Sequence, residues 1–357
     1  MTNHKAKLAE LLLITAQQNA SDVHFSVGFR PTLRVDGRLV PLAKEPILNS
    51  ETAANLIGAL LDENQAMILE KDREVDFAYA FEDKARFRAN VYYQRGFLTA
   101  ALRLIPTDIL TIEDLGLPPI LHDFAKLEQG FILIVGPAGH GKSTTLAAVL
   151  DEINHTRTDH IITVEDPIEY LFTQDRCMIS QREVRSDTPS FNRALRSVLR
   201  QDPDVIMIGE MRDADSIMTA MTAAETGHLV FSTLHTNSAS QTINRIIDTF
   251  PSGQQGQITS QLASTIAAII SERLVIKIGG GRIPAYEIMI VNSAIRNLIR
   301  ERKAYQIDLV IETSQQAGMM TLNHSLARLI KAKQITFDEA ARYSLNLSEL
   351  KILVERQ

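Results

Sequence analysis

Gly136, Pro137, Ala138, Gly139, His140, Gly141, Lys142 and Ser143 stand in the spacing G-x-x-x-x-G-K-[ST], after the apolar run 131–135 and before a helical pattern that begins near Ser143. A chain with this stretch must leave a strand through a tight glycine-rich loop and enter a helix. Such a loop turns successive backbone N–H groups inward, and the helix adds the positive end of its dipole, so the product is a cradle for phosphate. Lys142 brings a point charge to the β and γ phosphates and Ser143 a hydroxyl for Mg²⁺, and Thr144 is taken with the loop as a nucleotide-binding residue. Chance yields this spacing about once per hundred chains of such length. ATP and Mg²⁺ are the expected ligands.

Around the loop the texture is strand, loop, helix, strand, helix, strand, with further apolar runs at 161–164, 205–208 and 229–232. Continuous apolar strands spaced by helices predict an α/β fold with a parallel sheet covered on both faces. The tail from Asn292 reads as helical. The first hundred residues differ. They predict an amphipathic helix at 7–18, a strand at 22–27 and a hairpin at 32–42 that turns at Asp36-Gly37. A helix at 51–70 and three strands at 74–81, 85–94 and 97–105 complete an α+β module. Pro106, Gly116 and Pro118 interrupt both periodicities. The expected organisation is therefore a first domain over 1–105, a linker over 106–118 and a second domain over 119–357, as the length of 357 residues also favours.

No apolar run approaches the roughly 20 residues that a bilayer requires, and the N-terminus lacks the basic start and apolar centre of a secretory signal, so a cytoplasmic protein is expected. A single cysteine, Cys177, excludes an intrachain disulfide and a tetracysteine zinc site, and stable zinc is not expected. The formal net charge of −6 argues against a surface built to coat nucleic acid, and no direct nucleic-acid contact is expected.

In open α/β sheets the chemistry collects at the carboxyl ends of strands. Glu165 and Asp166 end one apolar strand, and Glu210 follows another after a glycine. Either glutamate could position water or hold Mg²⁺ through its hydration shell. The plain alternative for a strand-end acid is a helix N-cap, which suits Asp166 before Pro167 and Asp213 before the helical pattern 214–225. His228 and His235 bracket the apolar run 229–232, and an imidazole at a polar strand end can bond the γ-phosphate or can be only a satisfied polar group. Period two over 85–94 puts Arg86, Arg88, Asn90 and Tyr92 on one face and Phe87, Ala89, Val91 and Tyr93 on the other. The polar face is either merely wet or the source of an arginine that neutralises transition-state charge, with Arg88 and Arg103 as the candidates.

These residues resemble the secretion ATPase superfamily and, within it, the type IV pilus retraction motors of the PilT/PilU kind. Residues 20–25 (Ala-Ser-Asp-Val-His-Phe) look like the family's early strand signature, and 34–37 like the turn that follows it. Residues 163–169 are similar to its Asp box, 209–213 to its Walker B segment and 226–236 to its His box, while 279–289 and 294–301 extend the match nearly to the end. The resemblance implies a PAS-like N-terminal domain, a RecA-like P-loop NTPase domain with a helical C-terminal segment, and a homohexamer. It also implies that Glu165 orients the attacking water, Glu210 is the Mg²⁺-associated acid, His228 and His235 transmit nucleotide state, and Arg88 and Arg103 reach the phosphates. Cytoplasmic placement at the inner membrane, beside a pilus platform protein, is implied as well. His140 stands where such relatives usually carry a small residue, and the tail after Tyr343 departs from the main motor, which leaves main motor and accessory paralogue both open. Pilus assembly or type II secretion ATPases, a RecA-like nucleic-acid translocase and a nucleotide-gated interaction protein are the competing readings.

Overall fold

A computed structural model describes residues 2–18, 20–35, 37–81, 85–105 and 108–355. Asp36 of the expected turn and Pro106 of the expected linker lie outside the described residues. The chain forms two compact units, Met1–Asp108 with Pro167–Leu171, and Ile109–Asp166 with Phe172–Gln357. Within the expected linker, Ile112 and Leu117 are buried in the core of the second unit.

The first unit runs α1 (Thr2–Gln17), β1 (Asp22–Phe25), β2 (Thr32–Val35), β3 (Arg38–Pro41), α2 (Ser50–Gly58), α3 (Glu63–Asp72), β4 (Glu74–Phe81), β5 (Ala85–Gln94) and β6 (Phe97–Ile105). The strands form one sheet in the order β3-β2-β1-β6-β5-β4, with every neighbouring pair antiparallel. Alternation on β5 holds as expected: Phe87, Ala89 and Val91 are fully buried against a core that includes Leu8, Leu12 and Ile57 of the helices, while Arg88 is exposed. The helix expected over 51–70 is two helices. Asn49 caps the first, and the Asp62 carboxylate accepts the Gln65 N–H at 2.7 Å to start the second. Each cap is reciprocated by the residue three positions on, a local device that restarts a helix in mid-segment.

The second unit begins with α4 (Ile120–Ala125), β7 (Gly130–Val135), α5 (Lys142–Thr156), β8 (His160–Glu165), β9 (Met178–Glu183), α6 (Phe191–Val198), β10 (Val205–Ile208), α7 (Ala214–Glu225) and β11 (Leu229–Leu234). It continues with α8 (Ala239–Asp248), α9 (Gln255–Thr265), β12 (Ile266–Ile276), β13 (Arg282–Ile290), α10 (Ser293–Arg300), α11 (Ile307–Thr313), α12 (Leu322–Lys331), α13 (Phe337–Ala341) and α14 (Leu347–Glu355). Its seven-stranded sheet has the order β13-β12-β7-β11-β10-β8-β9. All neighbours are parallel except β12 and β13, so the expected parallel sheet carries an antiparallel edge. Phe131, Leu133 and Val135 of β7 pack into a core with α6 to α11, while Ile132 and Ile134 face the opposite core with α4 and α5. Helices on both faces explain why β7 and β10 are apolar at consecutive positions instead of alternating. Beyond them, α12 to α14 share a smaller core with Val275 and Ala285 near one end of β12 and β13.

Asp213 caps α7, accepting the Ser216 N–H at 2.8 Å, as one of the two sequence alternatives has it. Asp166 caps no helix: the next one is α6, and its cap is Ser190. Among the described residues no helix is long and apolar enough to cross a membrane. Because Phe87 is fully buried in the first unit's core, Phe87→Ala should lower unfolding free energy by about 3–5 kcal/mol. Denaturant unfolding followed by circular dichroism measures it, and an unchanged midpoint would contradict the placement.

Candidate functional site: a phosphate cradle at one edge of the sheet

Parallel register sets the site. Val135 pairs with Leu234, Ile208 with Ser232, and Ile208 with Val164, so β7, β11, β10 and β8 end together. The next residues along the chain, Gly136, His235, Gly209 with Glu210, and Glu165 at the last position of β8, therefore share one edge. The loop Gly136 to Ser143 leaves this edge and enters α5.

Two glycines in the loop are required by space as well as by conformation. Gly136 has φ +147° and Gly141 φ +96°, and a Cβ on either would sit 2.5 Å from an oxygen of Glu272, the backbone one for Gly136 and a carboxyl one for Gly141. Gly141 is also the N-cap of α5, and no side chain caps that helix, so its first-turn N–H groups are offered to an anion. Lys142 is buried, and its ammonium donates to the Pro137 carbonyl at 2.9 Å. Ser143 and Thr144 are half-buried beside it. The residues present fit a bound polyphosphate: a helix N-terminus, a lysine and glycine-permitted N–H groups converge on one turn.

The Lys142 ammonium also lies 3.4 Å from Nδ1 of His235, whose Nε2 is 3.4 Å from Glu210. Since an ammonium has no lone pair, Nδ1 is the acceptor and Nε2 carries the proton toward Glu210. Glu210 further accepts from Arg212 at 3.0 and 2.9 Å, which raises the Arg212 pKa. Lysine, histidine, glutamate and arginine thus form a chain from the loop to β10. Glu165 is buried and accepts from Thr163 at 2.7 Å and from Gln181 at 3.3 Å.

The remaining expected residues have the following surroundings. His228 pairs through its carbonyl with the Gly130 N–H, at the start of β7, and its Nδ1 meets the Ala223 carbonyl at 2.9 Å beyond the last turns of α7. The strand that separates it from His235 has six residues, so His228 is roughly 20 Å from the loop edge. Within its own chain it belongs to the opposite edge. Arg88 and Arg103 are direct cross-strand partners in the first unit, and Arg103 donates to Asp22 at 3.0 Å. His140 turns its Nδ1 to the Leu274 N–H at 3.0 Å; burial, and the charges of Arg273, Lys142 and Arg282, hold its pKa below the usual imidazole value.

Sequence reasoning missed β12, which contributes Glu272 and Arg273 to the back of the cradle. The Arg273 guanidinium donates to the Asn237 carbonyl at 2.8 Å and to its side-chain oxygen at 3.0 Å. The available signal was a charged pair set inside the apolar run 266–276.

The family described as "Type II/IV secretion system protein" matches residues 5–280. Among individual proteins, the chain is 44% identical to the "Type IV pilus retractation ATPase PilT" of Pseudomonas aeruginosa, covering 96% of this chain and 99% of that one. It is 41% identical to a "Twitching motility protein" of Neisseria gonorrhoeae over 94% of this chain and 90% of the relative. Among solved structures, the pilus retraction motor PilT with bound ADP superposes with a TM-score of 0.90 at 45% identity, covering 96% of this chain and 98% of that chain. The chain belongs to the type II/IV secretion system protein family and, within it, to the group of PilT retraction ATPases.

Proposed function

We propose that this protein is an ATP-hydrolysing motor that works as a ring of six copies and powers the retraction of type IV pili, and with it twitching motility. The observation that carries the reading is the edge on which a phosphate cradle, Glu165, Glu210 and His235 come together, in a chain alike over nearly its full length to a retraction ATPase. In this reading residues 1–105 are the N-terminal domain, 106–118 the linker and 119–357 the ATPase domain.

Residues 136–144 hold the triphosphate, with Lys142 exchanging its carbonyl partner for the β and γ phosphates. Mg²⁺ would be held by the Ser143 hydroxyl and, through water, by Glu210, and it supplies positive charge at the transferring phosphoryl group. Glu165, already fixed by Thr163 and Gln181, orients the attacking water. His235 stands between Lys142 and Glu210, where a change in either partner moves it. His228, at the far edge, acts as a contact that reports the state of α7, and Arg88 and Arg103 neutralise charge at the phosphates of a neighbouring copy. The protein acts at the cytoplasmic face of the inner membrane against a pilus platform protein.

Glu165→Gln should retain ATP binding and lose about 100-fold or more in turnover, whereas Lys142→Ala should weaken binding itself. Phosphate release and equilibrium binding separate the two effects, and wild-type turnover in Glu165→Gln would remove that residue from the chemistry. If neighbouring copies complete each site, turnover per chain should climb with protein concentration until the ring is full; a flat specific activity from monomer to hexamer would exclude it. In cells, deletion should leave more surface pili, counted by electron microscopy, and abolish twitching. Loss of pili would instead favour an assembly ATPase.

A further inference from the structure

β12 pairs with β7 only as far as Ser271 opposite Val135, where β7 gives way to the phosphate loop, yet β12 runs on to Ile276. Residue 272 is therefore the first on β12 to face loop instead of strand. Its backbone oxygen is 2.5 Å from the position of a Cβ on Gly136, and its carboxyl Oε1 is 2.5 Å from that of a Cβ on Gly141. The other carboxyl oxygen accepts from the Thr145 hydroxyl at 2.7 Å. Thr145 in turn donates its N–H to the Gly141 carbonyl at 2.8 Å, the bond that closes the first turn of α5. One carboxyl group thus engages both ends of the turn that carries Lys142 and Ser143.

A buried acid is a costly choice for packing alone. Glu272 is 2% exposed and, among the described residues, has no ion-pair partner, so a leucine or glutamine of similar size would fill the space at lower cost. What an apolar side chain could not do is accept the Thr145 hydroxyl while touching Gly141.

We propose that Glu272 is a positioning residue for the nucleotide: its carboxyl, held between Gly141 and Thr145, sets the turn from which Lys142 and Ser143 reach the phosphates. The inference rests on the ATPase reading above. It acts through the loop and touches no phosphate itself.

Protonation separates this role from plain packing. Burial pushes the Glu272 carboxyl up to about 7, opposed by the Thr145 hydrogen bond and the Lys142 charge. The groups that face it are Lys142 and Thr145 from α5 and Tyr286, its cross-strand partner on β13; Arg273, next along β12, directs its guanidinium to Asn237 and Ser271, and His140 of the loop turns to the Leu274 N–H instead. As pH rises through about 7 the carboxyl ionises, and a negative charge appears behind a turn built to hold anions. Nucleotide affinity should fall with it. Glu287 is pushed up to about 7 as well, but its carboxyl accepts the Ala239 N–H at the start of α8, so a glutamine at 272 isolates the Glu272 contribution.

The test is calorimetric binding of MgADP to the full-length protein between pH 6 and 8.5. Wild type should weaken by about threefold to tenfold across the range, and Glu272→Gln should hold a nearly constant affinity close to the wild-type value at pH 6. Thr145→Val should weaken MgADP in the wild-type background and add nothing to Glu272→Leu. If Glu272→Leu does not fold, the glutamine series decides. A Glu272→Gln profile with the wild-type slope, or a Glu272→Leu protein that binds as tightly as wild type, overturns the proposal while leaving the ATPase reading intact. A wild type that binds no MgADP at any pH overturns both.

Discussion

The alignment of the carboxyl ends of β7, β11, β10 and β8 is the constraint on which the site depends. Each strand is buried on both faces, and the few polar residues inside them are consumed by neighbours: Ser232 donates to the Ile208 carbonyl at 2.8 Å, Thr233 to the Gly209 carbonyl at 2.6 Å, and Thr163 to Glu165. Polar chemistry is left to the strand ends. Because side chains alternate with period two, a slip of one residue in any of these pairs would exchange the contents of the two cores, so burial itself holds the ends level. The precision that places Glu165, Glu210 and His235 along one edge is thus supplied by apolar packing some distance from them.

The first unit solves a different problem. Its sheet buries one face and presents on the other a cross-strand row, Arg34 on β2, Asp22 on β1, Arg103 on β6 and Arg88 on β5. Like charges opposite one another destabilise a sheet, and here Asp22 sits between Arg34 and Arg103, at 3.9 and 3.0 Å, to offset them. Arg88 is left at the end of the row, opposite Arg103. The row is carried by a rigid sheet whose stability comes from its other face.

Features written in short-range periodicity were legible in the sequence: the phosphate loop, the four apolar strands, the three strands of 74–105 and the Asp213 cap. Asp62 was not, because an acid on a helix surface looks the same whether it decorates one helix or starts another. β12 escaped because Ser-Glu-Arg at 271–273 interrupts the apolar run by which a buried strand is recognised, and because its place beside the phosphate loop comes from pairing with β7, more than a hundred residues earlier. His228 and His235 both flank the same apolar run, His228 before it and His235 after it. The direction of β11 puts His235 at the loop edge and His228 against α7, as the carboxyl-end rule alone would separate them.

That same alternation gives β12 its place in the mechanism. Glu272 and Arg273 are adjacent in sequence, but adjacent residues on a strand point to opposite faces, so they do not neutralise each other. Glu272 faces α5 and closes the turn of the phosphate loop through Thr145. Arg273 faces α8, where it holds Asn237, two residues beyond His235, while its cross-strand region supplies Glu287 to the N-terminus of that helix. One strand therefore fixes the loop from one side of the sheet and the segment after His235 from the other. Lys142 and His235 meet at 3.4 Å between these two anchors. β12 thus bonds both to the turn carrying Lys142 and to the segment that follows His235.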